Sequence, residues 1–155
     1  MTLLLATVTD SISKLSVSGL TIKDIDEIPV RVYGRNCPIL YLEPLDLMAT
    51  LTVTKMTFGR GLTVKWMMHY DLNYTMLYAP IGSGRGLELL APTIAKACLF
   101  FDVLMESHPI TGAELVTPGG WSIPGPLMDP SGNSVSDAEL FYGVKLTIHV
   151  AEQNG

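Results

Sequence analysis

The sequence predicts an α+β domain: a mainly antiparallel sheet with a long β-hairpin, two helices packed on one face, and a long loop before the C-terminal strand. Three observations carry this. Over residues 64–78 the side chains alternate without a break, Val64, Trp66, Met68, Tyr70, Leu72, Tyr74, Met76 and Tyr78 against Lys65, Met67, His69, Asp71, Asn73, Thr75 and Leu77. Successive side chains of a strand point to opposite sides, so one face is continuously apolar and the other mixed. The alternation returns over residues 141–151, with Val144, Leu146, Ile148 and Val150 opposed to Lys145, Thr147 and His149. Two other segments repeat apolar residues at helical spacing, and such stripes bury against a sheet.

The elements follow in order. Leu4, Leu5, Val8, Ile12 and Leu15 share one stripe of a helix over residues 2–17, with Gly19 placed to terminate it. Residues 21–29 are polar and acidic. Residues 30–33 and 39–42 then read as short strands around a loop at 34–38, the second bracketed by Pro38 and Pro44. Thr50, Thr52 and Thr54 alternate with Leu51 and Val53, and the phase slips at Met56 and Phe58, which predicts a bulge near Lys55. Gly59, Arg60 and Gly61 turn this strand into the long one as an antiparallel hairpin. At roughly 3.3 Å per residue the long strand reaches about 50 Å, more than twice the usual length. Part of it is expected to project and to need a partner.

The second half continues the pattern. GSGRG, residues 82–86, leads into a second helix with Pro92 in its first turn and Ile94, Ala97, Cys98, Phe101, Leu104 and Met105 as its buried stripe. Pro109 and Gly112 end it, and residues 113–117 form a short strand. Residues 117–138 hold four prolines and four glycines, with Trp121, Ile123, Leu127 and Met128 among them. Structureless loops beyond about 15 residues are usually functional or disordered. Disorder is poorer in such apolar residues, so an arm that docks on another subunit is expected.

Composition bears on how this chain is buried. Its 155 residues suit a single domain, 1–155, with a real core. Counting glycine with the apolar residues brings that fraction to about 57% against a usual 45–50%, while charged residues are 16% against about 25%. The excess is expected to be buried between subunits. No membrane partner is implied, because Asp10, Lys23, Asp46, Lys65 and Asp102 interrupt every candidate span. The N-terminal MTLLLATVTDS lacks a basic leader region and reads as mature protein. Cys37 and Cys98 read as small buried hydrophobes in a reducing compartment, with a single disulfide as the alternative. A net charge of −5 argues against a surface that grips nucleic acid, though not against one that DNA slides past.

Catalytic signals are poor, and no cofactor, metal or catalytic residue is assigned. GSGRG precedes a helix as phosphate loops do, but Leu87 stands where GxGxxG requires its third glycine, and no GK[ST] follows. A flexible connection is the better reading, with Arg85 as a contact residue. His69 and Asp71 share a strand face and are placed to orient each other, without a nucleophile signalled nearby. His69, His108 and His149 lack metal-ligand spacing and read as surface residues. The cluster Asp24, Asp26, Glu27 fails the calcium-loop pattern and reads as a solvated connection. The Trp66, Tyr70, Tyr74, Tyr78 series is in register with aliphatic residues, which makes it core or interface rather than a base-stacking platform.

The order helix, short strands, long hairpin, helix, long loop and terminal strand resembles the tail terminator or tail-completion (neck) proteins of long-tailed bacteriophages. DEIPVRVYGRNCPILYLEP, WMMHYDLNYTMLYAPIGSGRG, HPITGAELVTP and FYGVKLTIHVAE carry the resemblance, which spans most of the chain without a diagnostic motif. It implies a virion structural protein, assembled in the host cytoplasm. The subunit would form a homo-oligomeric ring, commonly hexameric, that caps the head-proximal end of the tail tube, stops tube polymerisation and joins the tail to the head connector. The implied partners are further copies of the chain, the tail tube protein and the head-tail connector protein, with DNA passing through the lumen unbound. Such a ring needs a heterologous interface that closes. Trp121, Ile123, Leu127 and Met128 are the expected docking residues, and Arg60 and Arg85 the expected polar contacts at turns. The alternatives are another connector or tube component and, from a different class, a nucleotide- or ligand-binding enzyme using residues 82–86 with His69 and Asp71 as acid and base.

Overall fold

The computed structural model describes residues 4–27, 33–43, 51–58, 63–107, 110, 112–113, 115–124, 127–128 and 140–154. They form helices α1 (Leu5–Ser13) and α2 (Gly86–Glu106) and strands β1 (Thr21–Lys23), β2 (Ile39–Leu42), β3 (Thr52–Phe58), β4 (Thr63–Pro80), β5 (Leu115–Ser122), β6 (Leu127–Met128) and β7 (Leu140–Asn154). The architecture is α+β, as the alternations predict.

β4 and β7 are the spine of the sheet. They pair antiparallel from Trp66↔Asn154 to Pro80↔Phe141, with one register shift between Leu77 and Ala79. β3 and β2 share the other edge of β4, and β5 and β6 share the far edge of β7. β1 joins β2 in parallel. Both helices lie on one side. Val8 and Ile12 of α1 and Ala97, Phe100 and Leu104 of α2 pack on Tyr70, Leu72, Tyr74 and Met76 of β4 and on Val144, Leu146, Ile148 and Val150 of β7. The tyrosine series is therefore core, with the Tyr74 and Phe100 rings 6.2 Å apart. Trp66 is half-buried at the margin.

Several expectations are corrected. α1 ends at Ser13, so Gly19 does not cap it. Gly19 takes φ +72° in a tight turn closed by the Leu20 N–H on the Val17 carbonyl, at 3.1 Å. In α2, Pro92 lies inside the helix rather than in its first turn, because the helix begins at Gly86. Its buried stripe is Thr93, Ala97, Phe100 and Leu104; Ile94 and Phe101 are half-buried, and Cys98 and Met105 face solvent. The Thr93 hydroxyl donates to the Leu89 carbonyl at 2.7 Å, so a polar residue fits the buried side. The bulge near Lys55 is absent: β3 pairs β4 in unbroken register from Thr52↔His69 to Phe58↔Thr63.

Three strands lie wholly or partly in segments that read as connections: β1, β5 and the two-residue β6 within 117–138. β1 lies in the polar, acidic stretch after α1, where Ile22 is buried and Thr21 pairs Ile39. β5 runs on through Pro118, Gly119, Gly120 and Trp121, so the segment 117–138 begins as strand rather than loop. An edge position tolerates Pro118, which has no N–H to give, and a register shift between Pro118 and Gly120 absorbs the extra residue. The expected strand at 30–33 falls mostly on residues outside those described, and Tyr33 is not in a strand.

Candidate functional site

The side of the sheet opposite the helices carries the chemistry. In an antiparallel pair, directly opposed residues share a face with Cβ atoms about 4.5–5.5 Å apart. The spine register opposes Asp71 to His149, Asn73 to Thr147 and Thr75 to Lys145. All six project from the open face and form a polar ladder. The Asp71 carboxylate contacts His149 Nδ1, and the Thr147 hydroxyl donates to Asn73 Oδ1 at 3.1 Å. Glu43, just past β2, accepts from both the Thr75 hydroxyl and the Lys145 ammonium, the latter at 2.9 Å.

This geometry corrects the expected His69–Asp71 pair. Residues two apart on one strand lie farther from each other than residues opposed across strands, so Asp71 engages His149 while His69 stands exposed and opposite Ala151. On the other side of His149 the register places Thr117. A carboxylate, an imidazole and a hydroxyl thus occupy one row across three strands. The backbone of Gly119 closes over that imidazole: a Cβ built there would lie 2.6 Å from His149 Nε2. A small apolar cluster, Ile39, Tyr41, Leu77 and Phe141, lies at one end of the open face with Cys37 and Leu127 packed on it.

The residues expected at interfaces divide. Trp121 and Ile123 are 47% and 51% exposed at the end of β5 and just beyond it, and Leu140 at the start of β7 is exposed as well. Leu127 packs on its own subunit, directly over Gly143, where a Cβ would lie 2.6 Å from the Leu127 side chain. Met128 pairs Leu140 through the backbone of β6. Arg60 lies outside the described residues, as does His108. Arg85 is exposed and bridges to Glu88 at 3.1 Å, which holds the Glu88 carboxyl below its ordinary range.

Within the glycine-rich segment Gly86 is closely packed, while Gly82 and Gly84 face open space. Gly84 takes φ +69°, a conformation that favours glycine. Gly86 lies flat against the Tyr142 ring, 2.6 Å from where its Cβ would be, and its carbonyl accepts from the Tyr78 hydroxyl at 3.2 Å. A cavity of about 460 Å³ opens beside it, lined by Cys37, Tyr78, Ser83, Arg85, Leu89 and Lys96, among others. Cys98 is exposed and Cys37 half-buried, and neither is in a disulfide, so Cys98 is not the small buried hydrophobe expected.

Among the described residues two carboxylates are buried. Asp24 is not a solvated connection: its carboxylate accepts the Ile25 N–H at 2.7 Å and the Thr9 hydroxyl at 3.3 Å, which ties the turn after β1 to α1. Glu152 is fully buried on the helix side, where Oε1 accepts the Leu4 N–H at 2.6 Å. Burial raises the Glu152 pKa, and the Leu4 and Tyr70 contacts oppose that rise. Tyr70 is pushed up by burial and by the neighbouring Glu152. Tyr70 Oη and Glu152 Oε2 couple electrostatically without hydrogen-bonding geometry. Among the described residues, no group of three His, Cys, Asp or Glu is arranged to hold a metal ion, and no helix is long and apolar enough to cross a membrane.

The ladder is one step from legible in the sequence. Both alternations are visible there, and the missing quantity is the register that opposes position 71 to position 149. Glu43 and Glu152 give no signal, because nothing local distinguishes a carboxylate that will be buried from one that will not.

No known family model matches the chain, and no curated protein matches it in sequence.

Proposed function

We propose that this protein is a ring-forming virion subunit of a long-tailed bacteriophage, capping the head-proximal end of the tail tube and joining it to the head connector. The observation that carries this reading is the two-sidedness of the sheet. Helices cover one side, and the other is a largely polar surface on which Glu43 holds the Lys145 ammonium and Asp71 engages the His149 imidazole. A lumen lined by such a face offers passing DNA few free cations, and affinity for the phosphate backbone grows with the number of cations that neutralise it. The acidic balance of −5 agrees with that requirement.

Trp121 and Ile123 serve as anchors for the neighbouring ring component, because large exposed apolar side chains at the end of an edge strand are suited to burial against a partner. Leu127 fixes the return of this segment onto its own sheet. The test is the double substitution Trp121→Ser, Ile123→Ser, which removes exposed groups and leaves the core intact. The variant is expected to keep the wild-type melting transition and to lose tail capping, scored by overlong tubes when tail tube protein polymerises in its presence. Normal capping by a folded double variant would remove these residues from the interface. Another connector or tube component would share the architecture and differ in partner.

One observation favours a second reading, a small-molecule site: the cavity beside residues 82–86 is flanked by Arg85 and Lys96. Nucleotides that raise the melting temperature of the wild type, and not of an Arg85→Ala, Lys96→Ala variant, would support it.

A further inference from the structure

We propose that the cavity beside residues 82–86 binds a small carboxylic acid with an apolar body, its carboxylate seated on the Lys96 ammonium. This rests on the small-molecule reading of that cavity, names its ligand class, and is independent of the ring reading.

The cavity has fixed apolar walls. It lies between the end of β4, the turn at residues 81–83 and the first half of α2, and its volume of about 460 Å³ falls in the range of small-ligand sites, about 300–1,000 Å³. Tyr78 is held from two sides. Its ring stacks on Tyr142 with centres 6.1 Å apart, and its hydroxyl donates to the Gly86 carbonyl at 3.2 Å, which leaves the ring as an apolar wall. Pro38, Leu89 and Pro92 extend that wall. A ligand body without polar atoms suits it, because a polar atom placed there would give up water without gaining a partner.

The polar groups around the cavity narrow the ligand's charge. The Ser83 hydroxyl donates to the Pro80 carbonyl at 2.6 Å and the Thr93 hydroxyl to the Leu89 carbonyl at 2.7 Å, so both are satisfied within the chain. Arg85 is engaged by Glu88 through Nη2 at 3.1 Å and Nε at 3.4 Å. Lys96 differs. It is half-buried, and among the described residues its ammonium has neither a carboxylate nor a hydrogen-bond partner. Its Nζ lies 3.0 Å from where a Gly19 Cβ would be, so it reaches from α2 to the turn before β1. That turn adjoins the cavity: the Thr21 N–H donates at 3.4 Å to the carbonyl of Pro38, a wall residue. One unpaired cation at the margin of an apolar cavity matches one negative charge. A carboxylate supplies that charge and forms a charge-assisted hydrogen bond, roughly twice as strong as a neutral one. A nucleotide polyphosphate brings several charges to a site with one free ammonium, and meets the Glu88 carboxylate beside Arg85.

Cys37 lines the same cavity and reports on its occupancy. In a Cys98→Ser protein it is the one thiol, and its alkylation by the neutral reagent iodoacetamide is followed by mass at fixed pH and ionic strength. The probes are phenylacetate, octanoate, their neutral amides and ATP. Either acid or both should slow the alkylation saturably, with an apparent Kd at least about tenfold below that of the matching amide, and ATP should give no protection. Lys96→Met, which keeps the stem and removes the charge, should erase the difference between acid and amide. Arg85→Met should change the acid's Kd by about threefold or less, since Arg85 is an exposed, already paired group. Melting curves of both variants establish that they fold. Equal protection by acid and amide, or protection by the acids that survives Lys96→Met, would overturn the assignment to Lys96. Protection by ATP and not by the acids would keep a small-molecule site and overturn its ligand class. No protection by any probe at about 10 mM, where millimolar affinity registers, would overturn the site itself and leave the ring reading standing.

Discussion

The covered and open sides of β4 and β7 are made by the same backbone and obey different rules. On the covered side Tyr70, Leu72, Tyr74 and Met76 meet Val144, Leu146, Ile148 and Val150, and both helices exclude water from them. On the open side Asp71, Asn73 and Thr75 meet His149, Thr147 and Lys145, and each row is satisfied by hydrogen bonds or ion pairs. Burial stabilises on the order of 25 cal/mol per Å² of apolar surface, whereas exposed polar pairs contribute about 0–1 kcal/mol. The fold is held by one side and the other is free to be shaped by what it faces.

That contrast can be broken at several points. Phe100→Ala, on the covered side, is expected to cost about 3–5 kcal/mol in chemical denaturation, as for other buried aromatics. A loss no larger than that of Asn73→Ala would contradict the assignment of sides. At Gly143 the two sides meet the backbone, since a Cβ there would lie 3.0 Å from the Met76 carbonyl as well as against Leu127. Gly143→Ala should therefore cost about 1–3 kcal/mol, the usual range for overpacking. Lys145→Met on the open side, where both partners of the pair are partly exposed, should change stability by about 1 kcal/mol or less.

Glu152 sharpens the comparison through pH. Because burial raises its pKa, the folded chain holds the proton to higher pH than the unfolded chain does. Its contribution favours folding below the ordinary carboxylate range and is lost as pH rises through the elevated folded value. Glu152→Gln, which keeps an acceptor for the Leu4 N–H, should flatten the pH dependence of stability in that window. Glu152→Ala should instead lose about 1–3 kcal/mol by leaving that N–H unpaired. An unchanged pH profile in the glutamine variant would show that Glu152 does not titrate with folding.

The covered side is legible in the sequence because its signal is periodic. The β4 and β7 alternations name the core face residue by residue, and the α1 stripe places Val8 and Ile12 correctly. α2 is harder, since a helix apolar on both sides does not say which one faces the sheet. The stripe through Cys98 and Met105 is the wrong choice, and the reason it looks plausible is the exposed apolar face itself. The residues of the open side are legible from the same alternations, but their pairing is not. Its pairs depend on strand register, and its glycines, Gly119 under the His149 ring and Gly143 under Leu127, serve close approaches that no local pattern announces.

The central claim, assembly into a ring at the end of a tail tube, is tested most directly by mass in solution and particle shape. Light scattering after size exclusion, with negative-stain images of the same fraction, would be recorded for the protein alone and with tail tube protein. The expected result is closed rings, or a monomer that becomes part of rings when tube protein is added. A compact monomer indifferent to tube protein would contradict the account.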